Sequence, residues 1–526
     1  MARFLWLSLA SILLACQTTE KKATIVEREH IRNASVSGKE LSRKYCQSCH
    51  LYPQPELLDK HTWQRSVLPL MGRFFGIYES NVPRSKILDG AIDKNLVLRR
   101  NIFPDTQLID NESWQKIVDY YVSSAPHSLT KSKPTDGIPA RLTQFEISIP
   151  AQQPKSALTT LVKVDPKTSN IYIGGTKGAK GLLTVMNKHF QIMEEIPLPT
   201  APVDLVVNAD RLAVTLIGSL RLAPSNNPPG QLLHIFRRPG ETQYTSFTNF
   251  LDKLRRPLQA IFDDADGDGN DDIFIADFGY YTGAVNYYRY APEKATYKKT
   301  VLKDAAGAMR MHLQDLNGDK RKDLAVLFAQ GDEGISFFFN NGNGQFTEQQ
   351  ILSFNPAYGS VSFELADMNN DGLVDILYCN GDNGDYPPIL KDYHGIRIFE
   401  NKGSNNFQEV YFYPMDGAYD CSAEDFDRDG DLDIVGISYF PDPDAAPRND
   451  LVYLENLGNN SFHSQSLQQA IPARWVTLDI ADLDGNGYKD ILLGAGGNDN
   501  VNKTPAQSSK NPSVVLLKNV GKQPVY

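Results

Sequence analysis

Residues 425–433 read Asp425-Phe-Asp427-Arg-Asp429-Gly430-Asp-Leu-Asp433 and run straight into Ile-Val-Gly. Four other stretches keep the frame: Asp264-Ala-Asp266-Gly-Asp268-Gly269-Asn-Asp-Asp272, Asp315-Leu-Asn317-Gly-Asp319-Lys320-Arg-Lys-Asp323, Asp367-Met-Asn369-Asn-Asp371-Gly372-Leu-Val-Asp375 and Asp482-Leu-Asp484-Gly-Asn486-Gly487-Tyr-Lys-Asp490, each followed by an apolar run. Successive starts lie 51, 52, 58 and 57 residues apart. A period of this size marks a propeller or a solenoid. Each loop offers side-chain oxygens at positions 1, 3, 5 and 9, with the position-7 carbonyl to hand. Short turns wrap a hard cation such as calcium with this spacing. Glycine at position 6 permits the positive φ of a sharp turn. Lys320 stands there in the second loop, which predicts a distorted or weak site. An Asp-Gly pair alone makes only a turn. Five loops in phase with strands point instead to as many as five Ca2+ ions.

A strand precedes each loop, another follows it, and a third comes later, as in Ile396-Arg-Ile-Phe399, Leu451-Val-Tyr-Leu454 and Val514-Val-Leu-Leu517. Two earlier units keep the frame with degraded loops, around Val164–Ile173 and Val206–Val214, and Leu232-Leu-His-Ile235 supplies a later strand. Seven units over residues 146–526 predict an all-β, closed seven-bladed propeller, which leaves no open sheet edge. An open β-solenoid is the alternative. The loops resemble those of the FG-GAP (VCBS) repeat family, well over Leu258–Val520 and poorly over 146–257. The resemblance implies the propeller fold and the calcium ions; it implies no reaction, because that fold hosts many.

The 526 residues carry a formal net charge of −10. Seventeen Asp side chains at positions 1, 3, 5 and 9 of the five loops account for that acidity, and five divalent ions would cancel it. The sign argues against nucleic acid as a partner.

At the other end, Met1-Ala-Arg3 leads an apolar run from Phe4 to Leu14 that is too short to span a bilayer and reads as a signal peptide. It ends in Leu13-Leu14-Ala15-Cys16, which resembles the lipobox of bacterial lipoproteins. The resemblance implies cleavage before Cys16, lipidation of that residue and, with Gln17 following, an outer-membrane lipoprotein facing the periplasm or the cell surface. The membrane would then be met through the lipid anchor only. Residues 17–37 read as a flexible tether.

Cys46-Gln-Ser-Cys49-His50 is the attachment motif of c-type haem, with Cys46 and Cys49 taking the vinyl groups and His50 the iron. Residues 38–127 are expected to form a small all-α domain resembling cytochrome c. Its first helix enters the motif, and Trp114–Val122 closes it before Ala125-Pro126. Met71, in Trp63-Gln-Arg-Ser-Val-Leu-Pro69-Leu-Met71-Gly72, is the expected sixth ligand, and His61 the competitor. A thioether would raise the redox potential and a second imidazole lower it. Residues 128–145, rich in Lys, Pro, Ser and Thr at the start, read as a linker.

Two polar sets remain. Connections at Asp277–Tyr281, Gly381–His394, Tyr439–Asp444 and Gly496–Asn500 would line one rim with Tyr, Asp, Asn and His, which suits glycans. Arg310, His312, Glu364 and Asp479 precede their loops and would face a wet channel as acid–base groups. Cys379 and Cys421 are left as a disulfide or two buried thiols. Three functions are compatible with these features. The first is an electron-transfer protein whose propeller docks a redox partner protein or a glycan. The second is a dehydrogenase oxidising a sugar or alcohol and passing electrons to the fused haem. The third is a surface adhesion module. Only Trp475 falls in the propeller, so a quinone held by tryptophan-docking repeats is not expected.

Overall fold

The apolar run behind each loop becomes the second strand of a blade: Asp272–Asp277, Asp323–Phe328, Asp375–Asn380, Asp433–Ser438 and Asp490–Gly496. Every residue of these strands is buried. A strand covered on both faces reads as continuous rather than alternating hydrophobicity. In this computed structural model the described residues are 35–522, apart from 80–81, 89–92, 131–139, 157, 210, 221, 223–228, 239, 385–388, 446–449, 468–470, 472 and 497–511. Cys16 and the tether up to residue 34 lie outside them.

Seven antiparallel sheets follow one another along the chain. Blades 1 to 6 occupy residues 158–198, 202–254, 257–303, 308–353, 360–414 and 418–466. Blade 7 takes three strands from 474–519, and its fourth comes from the other end of the chain, Phe145–Ser148 pairing antiparallel with Leu516–Asn519. This closes the ring and excludes an open solenoid. Ala140–Arg141, inside the stretch read as linker, adds a parallel fifth strand to blade 6 against Gln465 and Ser466. Phe145 is 5% exposed, with its ring 5.6 Å from that of Phe426 and 5.7 Å from Tyr453. The latch therefore carries its own core residue.

A second compact unit comprises the chain up to residue 89 together with 94–128, and its described elements are helices. Helix Gly38–Cys46 begins with a capping box between Ser37 and Glu40. Helix Asn111–Ser124 is capped by Asp110 and ends at Ala125, held extended by the following proline. The two helices meet at Gly38, where a Cβ would lie 2.0 Å from the Lys116 carbonyl oxygen. Between them, Trp63 donates to the Pro55 carbonyl (2.8 Å) and stacks 4.5 Å from Tyr121, which donates to the Pro53 carbonyl (2.7 Å).

Truncating the latch residue, Phe145→Ala, is expected to destabilise the propeller by about 3–5 kcal/mol, the usual range for a buried phenylalanine. Chemical denaturation of the full chain measures it. A loss below about 1 kcal/mol would mean that ring closure does not depend on this side chain.

Candidate functional site

In four of the five loops the first aspartate organises the turn. Asp264 accepts from the N–H groups of Gly267 and Gly269 (both 2.9 Å), Asp315 from Gly318 and Lys320 (both 2.8 Å), Asp367 from Gly372 (2.8 Å), and Asp482 from Gly485 (2.8 Å) and Gly487 (2.9 Å). Lys320 adopts φ +70° and keeps the same bond, so the second loop retains the backbone pattern of its neighbours despite losing glycine. The fifth residue of each loop closes a local turn, as with Asp268 and the Asn270 N–H (2.9 Å) or Asn486 and the Tyr488 N–H (2.7 Å).

Three loops bring three carboxylates together within 4.8 Å: Asp264, Asp266 and Asp268; Asp425, Asp427 and Asp429; Asp482, Asp484 and Asp490. In the second and third loops, Asn317 and Asn369 turn their amides toward Asp319 (3.1 Å) and Asp371 (3.0 Å). Basic side chains reach into the clusters. Arg289 bonds Asp266, Arg321 bonds Asp319, and Lys518 lies 3.0 Å from Asp484. Lys522 pairs with Asp427 and with Glu455 at 2.9 Å. The fourth loop is the most acidic. Asp425 and Asp431 each hold a buried oxygen without a hydrogen-bond partner. Burial, then the charges of Asp429, Asp427 and Asp425, push the Asp431 carboxyl up to about 6. Crowded carboxylates with unsatisfied oxygens fit a divalent cation, whose charge removes the repulsion.

The ninth residue does different work. Asp272, Asp323, Asp375, Asp433 and Asp490 are at most 1% exposed. Asp323, Asp375 and Asp490 accept from the N–H of the second loop residue, at Leu316 (3.0 Å), Met368 (2.9 Å) and Leu483 (3.0 Å). Their other oxygens accept from the third strand, at Asn340 (2.7 Å), Asn401 (2.8 Å) and Asn519 (2.8 Å). Asp433 accepts from the Asn456 N–H (2.9 Å) and the Tyr453 hydroxyl (2.6 Å).

Four partners on that third strand were missed at the sequence level, although Asn340-Asn-Gly, Asn401-Lys-Gly, Asn456-Leu-Gly and Asn519-Val-Gly repeat visibly. Each asparagine donates to the carbonyl just before the buried aspartate, at Lys322, Val374, Leu432 and Lys489 (3.0–3.2 Å). Each also accepts from its glycine N–H, at 2.9–3.0 Å.

Along the inner strands, polar side chains, including those of the channel row, clasp the next blade. Asp204 accepts from the Ala260 N–H (2.9 Å), Gln259 from Met311 (2.7 Å), Glu364 from Ala423 (2.9 Å) and Asp479 from Val164 (2.6 Å). His312 donates Nε2–H to the Phe363 carbonyl (2.9 Å), and burial lowers its pKa. Arg310 reaches from blade 4 to Asp420 in blade 6 (3.1 Å), which also accepts from Ser362 (2.6 Å). Arg310, His312 and Glu364 thus gather about Asp420, whereas Asp479 pairs with Lys163 (3.5 Å).

Of the rim residues, Tyr393 stacks on Tyr358 at 5.2 Å and Tyr439 lies 5.2 Å from Tyr419. His394 is only 1% exposed, so it belongs to the interior rather than the rim. Asp385, Tyr386 and 498–500 lie outside the described residues. Near Glu333, burial in the Ser360 and Tyr378 cluster pushes the carboxyl up to about 7.

In the helical unit, Cys46 and Cys49 carry free thiols, Cys49 exposed and Cys46 half-buried. Burial pushes the Cys46 thiol up to about 11. His50 directs Nδ1 to the Leu51 carbonyl at 2.8 Å, leaving Nε2 for another ligand. Met71 is half-buried on helix Leu68–Phe74, whose Gly72 packs under Trp114 (a Cβ there would lie 3.3 Å from the indole). His61 is exposed. The ring of Phe75, one residue past that helix, meets both Trp114 (5.9 Å) and Tyr45 (5.8 Å), the residue before Cys46.

Residues 264–326 and 315–378 match the FG-GAP-like repeat. Over 176 residues, 32% of this chain, the sequence is 27% identical to Cartilage acidic protein 1 of Mus musculus. That match spans 26% of the relative's length, about a quarter. Among solved structures, Sqt1 of Saccharomyces cerevisiae aligns with a TM-score of 0.43 at 9% identity, over 73% of this chain and 100% of that one. The periplasmic gluconolactonase PpgL of Pseudomonas aeruginosa aligns with a TM-score of 0.38 at 13% identity, over 58% and 85%. The chain carries FG-GAP-like repeats within a seven-bladed β-propeller.

Replacing a ninth-position carboxylate tests its structural role without any metal. Asp490→Ala orphans the N–H groups of Leu483 and Asn519, at about 1–3 kcal/mol each. In excess chelator the propeller should lose roughly 2–5 kcal/mol, read by denaturant unfolding. An unchanged midpoint in chelator would leave Asp490 a metal ligand alone. The buried Glu333 gives a pH signature. Its folded-state pKa, about 7, exceeds the ordinary 4.5, so its contribution to stability is full below pH 4.5 and is lost as pH rises to 7. Wild type should therefore lose roughly 2–4 kcal/mol relative to Glu333→Gln across that window. Parallel pH profiles would show that Glu333 does not hold a proton in the fold.

Proposed function

We propose that this chain is an exported, lipid-anchored electron-transfer protein, with one covalent c-type haem on the helical unit and a calcium-stiffened propeller that docks a protein or glycan partner. The observation that carries the reading is the Cys46–His50 segment. Its two thiols are unpaired, and His50 has Nδ1 engaged by the Leu51 carbonyl with Nε2 left over. A backbone carbonyl on Nδ1 fixes the ring and tautomer in the manner of a metal-ligating histidine. Cys46 and Cys49 would hold the haem by thioether bonds, with His50 and Met71 as axial ligands. Bound haem would supply a one-electron couple, and the Met71 thioether would set its potential high. The aromatic contacts from Tyr45 through Phe75 to Trp114 tie the attachment segment to the end of the Met71 helix, which limits reorganisation on electron transfer.

Calcium would be held by the loop carboxylates: Asp264, Asp266, Asp268 and Asp272; Asp315, Asn317, Asp319 and Asp323; Asp367, Asn369, Asp371 and Asp375; Asp425, Asp427, Asp429 and Asp433; Asp482, Asp484, Asn486 and Asp490. The fourth loop is the strongest candidate because of its unsatisfied oxygens. Cys16, with the apolar run before it, would place the protein at the outer membrane. No described helix is long and apolar enough to cross a membrane. The dehydrogenase alternative loses its best support, since the channel groups proposed as acid and base are occupied by neighbouring blades.

The test is the visible spectrum of the full chain, produced with a c-type haem maturation system. Sharp reduced bands after dithionite, resistance of the haem to acid extraction, and loss of both in Cys46→Ala are expected. A colourless or extractable product overturns the haem assignment. In the same preparation, calcium added after chelation should raise the melting temperature, and Asp425→Asn should lower the bound stoichiometry by one. A melting temperature indifferent to calcium overturns the cation assignment.

A further inference from the structure

The chain has five cysteines, and Cys379 and Cys421 are the two that haem and lipid leave unassigned. Cys379 sits in the second strand of blade 5, opposite Ser362 and Ile396. Cys421 sits in the first strand of blade 6, opposite Gly436. The two sheets share no backbone hydrogen bonds. Their side chains nonetheless join one buried core cluster with Leu377, Ile396, Met415 and Ile434; Ile396, which pairs with Cys379, packs on the backbone of Gly436, which pairs with Cys421, and both thiols are free in this structure. They are 0% and 4% exposed. Two buried thiols brought into one cluster from either side of a blade boundary form a distinct arrangement, since an apolar residue would fill either position without a reactive group.

We propose that Cys379 and Cys421 form an interblade disulfide as the chain folds in an oxidising compartment, an inference that rests on the export reading above. The oxidant is a protein disulfide of the compartment's thiol-oxidising machinery. One cysteine thiolate attacks a carrier sulfur to give a mixed disulfide, the second displaces the carrier, and the carrier leaves as a dithiol having taken two electrons. The exchange precedes burial, because the thiolate is the attacking species and the folded core disfavours it: burial pushes the Cys421 thiol well up. The same burial then shields the bond from reductants. The cross-link would span the boundary between two separate sheets.

The test is a thiol map of the exported holoprotein, unfolded in guanidinium and alkylated before and after reduction. The proposal expects Cys379 and Cys421 in one linked peptide pair, two hydrogens lighter than the free thiols and labelled only after reduction. It also expects that Cys379→Ser frees Cys421 for labelling without reduction and lowers the melting temperature. Labelling of both residues before reduction, attachment of either to another thiol, or a Cys421 still blocked in Cys379→Ser would each overturn it. A second arm refolds the reduced chain in a glutathione redox buffer, where the same pair must form. Failure of the export reading is separately visible in the first map, as an unmodified Cys16 and haem-free Cys46 and Cys49.

Discussion

The buried aspartate at the ninth position of each loop, accepting from the third strand in all five and from its own turn in three, is the contact on which these five blades depend. A carboxylate at 0–1% exposure is costly to desolvate. The cost is offset because its oxygens are aimed at N–H groups that would otherwise be orphaned. The consequence is geometric. The turn is pinned from beneath, and in three loops the carboxylates gather within 4.8 Å of one another on that frame. A divalent ion bound there would add charge neutralisation to that frame.

The inner strands pose a complementary problem, since neighbouring blades share no backbone pairing there. The molecule solves it with side chains that reach one blade onward: Asp204, Gln259, His312, Glu364 and, across the closing seam, Asp479 to Val164. The Arg310–Asp420 pair skips a blade and ties the ring across its axis. A clasp and a general acid or base ask for the same residue types near low-dielectric walls. The channel row is therefore ambiguous in sequence, and distances decide it.

Much of the propeller was legible because its signals are periodic. The loop frame, the apolar runs and the glycines repeat with the blade, and even the degraded Val164 and Val206 units kept enough of the pattern to count seven. The latch was half legible: a last blade with three strands needs a fourth, but Ala140–Arg141 lies next to a Lys/Pro/Ser/Thr-rich stretch whose composition hides a strand. The bracing role of the ninth aspartate, beside its expected ligand role, was not legible for a different reason. Ligand spacing is a one-dimensional pattern, and the asparagines that share the task lie outside the loop, on the third strand. His394 shows the same limit, because a polar loop composition does not reveal that one of its residues turns inward to 1% exposure.

These two sets of contacts divide the labour in the molecule. Carboxylates and asparagines stiffen each blade, clasps bind blade to blade, and the latch from the N-terminal side of the propeller closes the circle. The propeller's channel-row side chains Gln259, His312, Glu364 and Asp479 each take part in that blade-to-blade clasping. Its contribution is a rigid surface, and rigidity is what docking requires, since a partner then binds without the entropy loss of ordering the site. The proposed redox chemistry would rest on the short Cys46–His50 segment and the helix carrying Met71. The proposed reading, with one electron-carrying unit and one docking unit, rests on the Cys46–His50 segment for the first and on the braced propeller frame for the second.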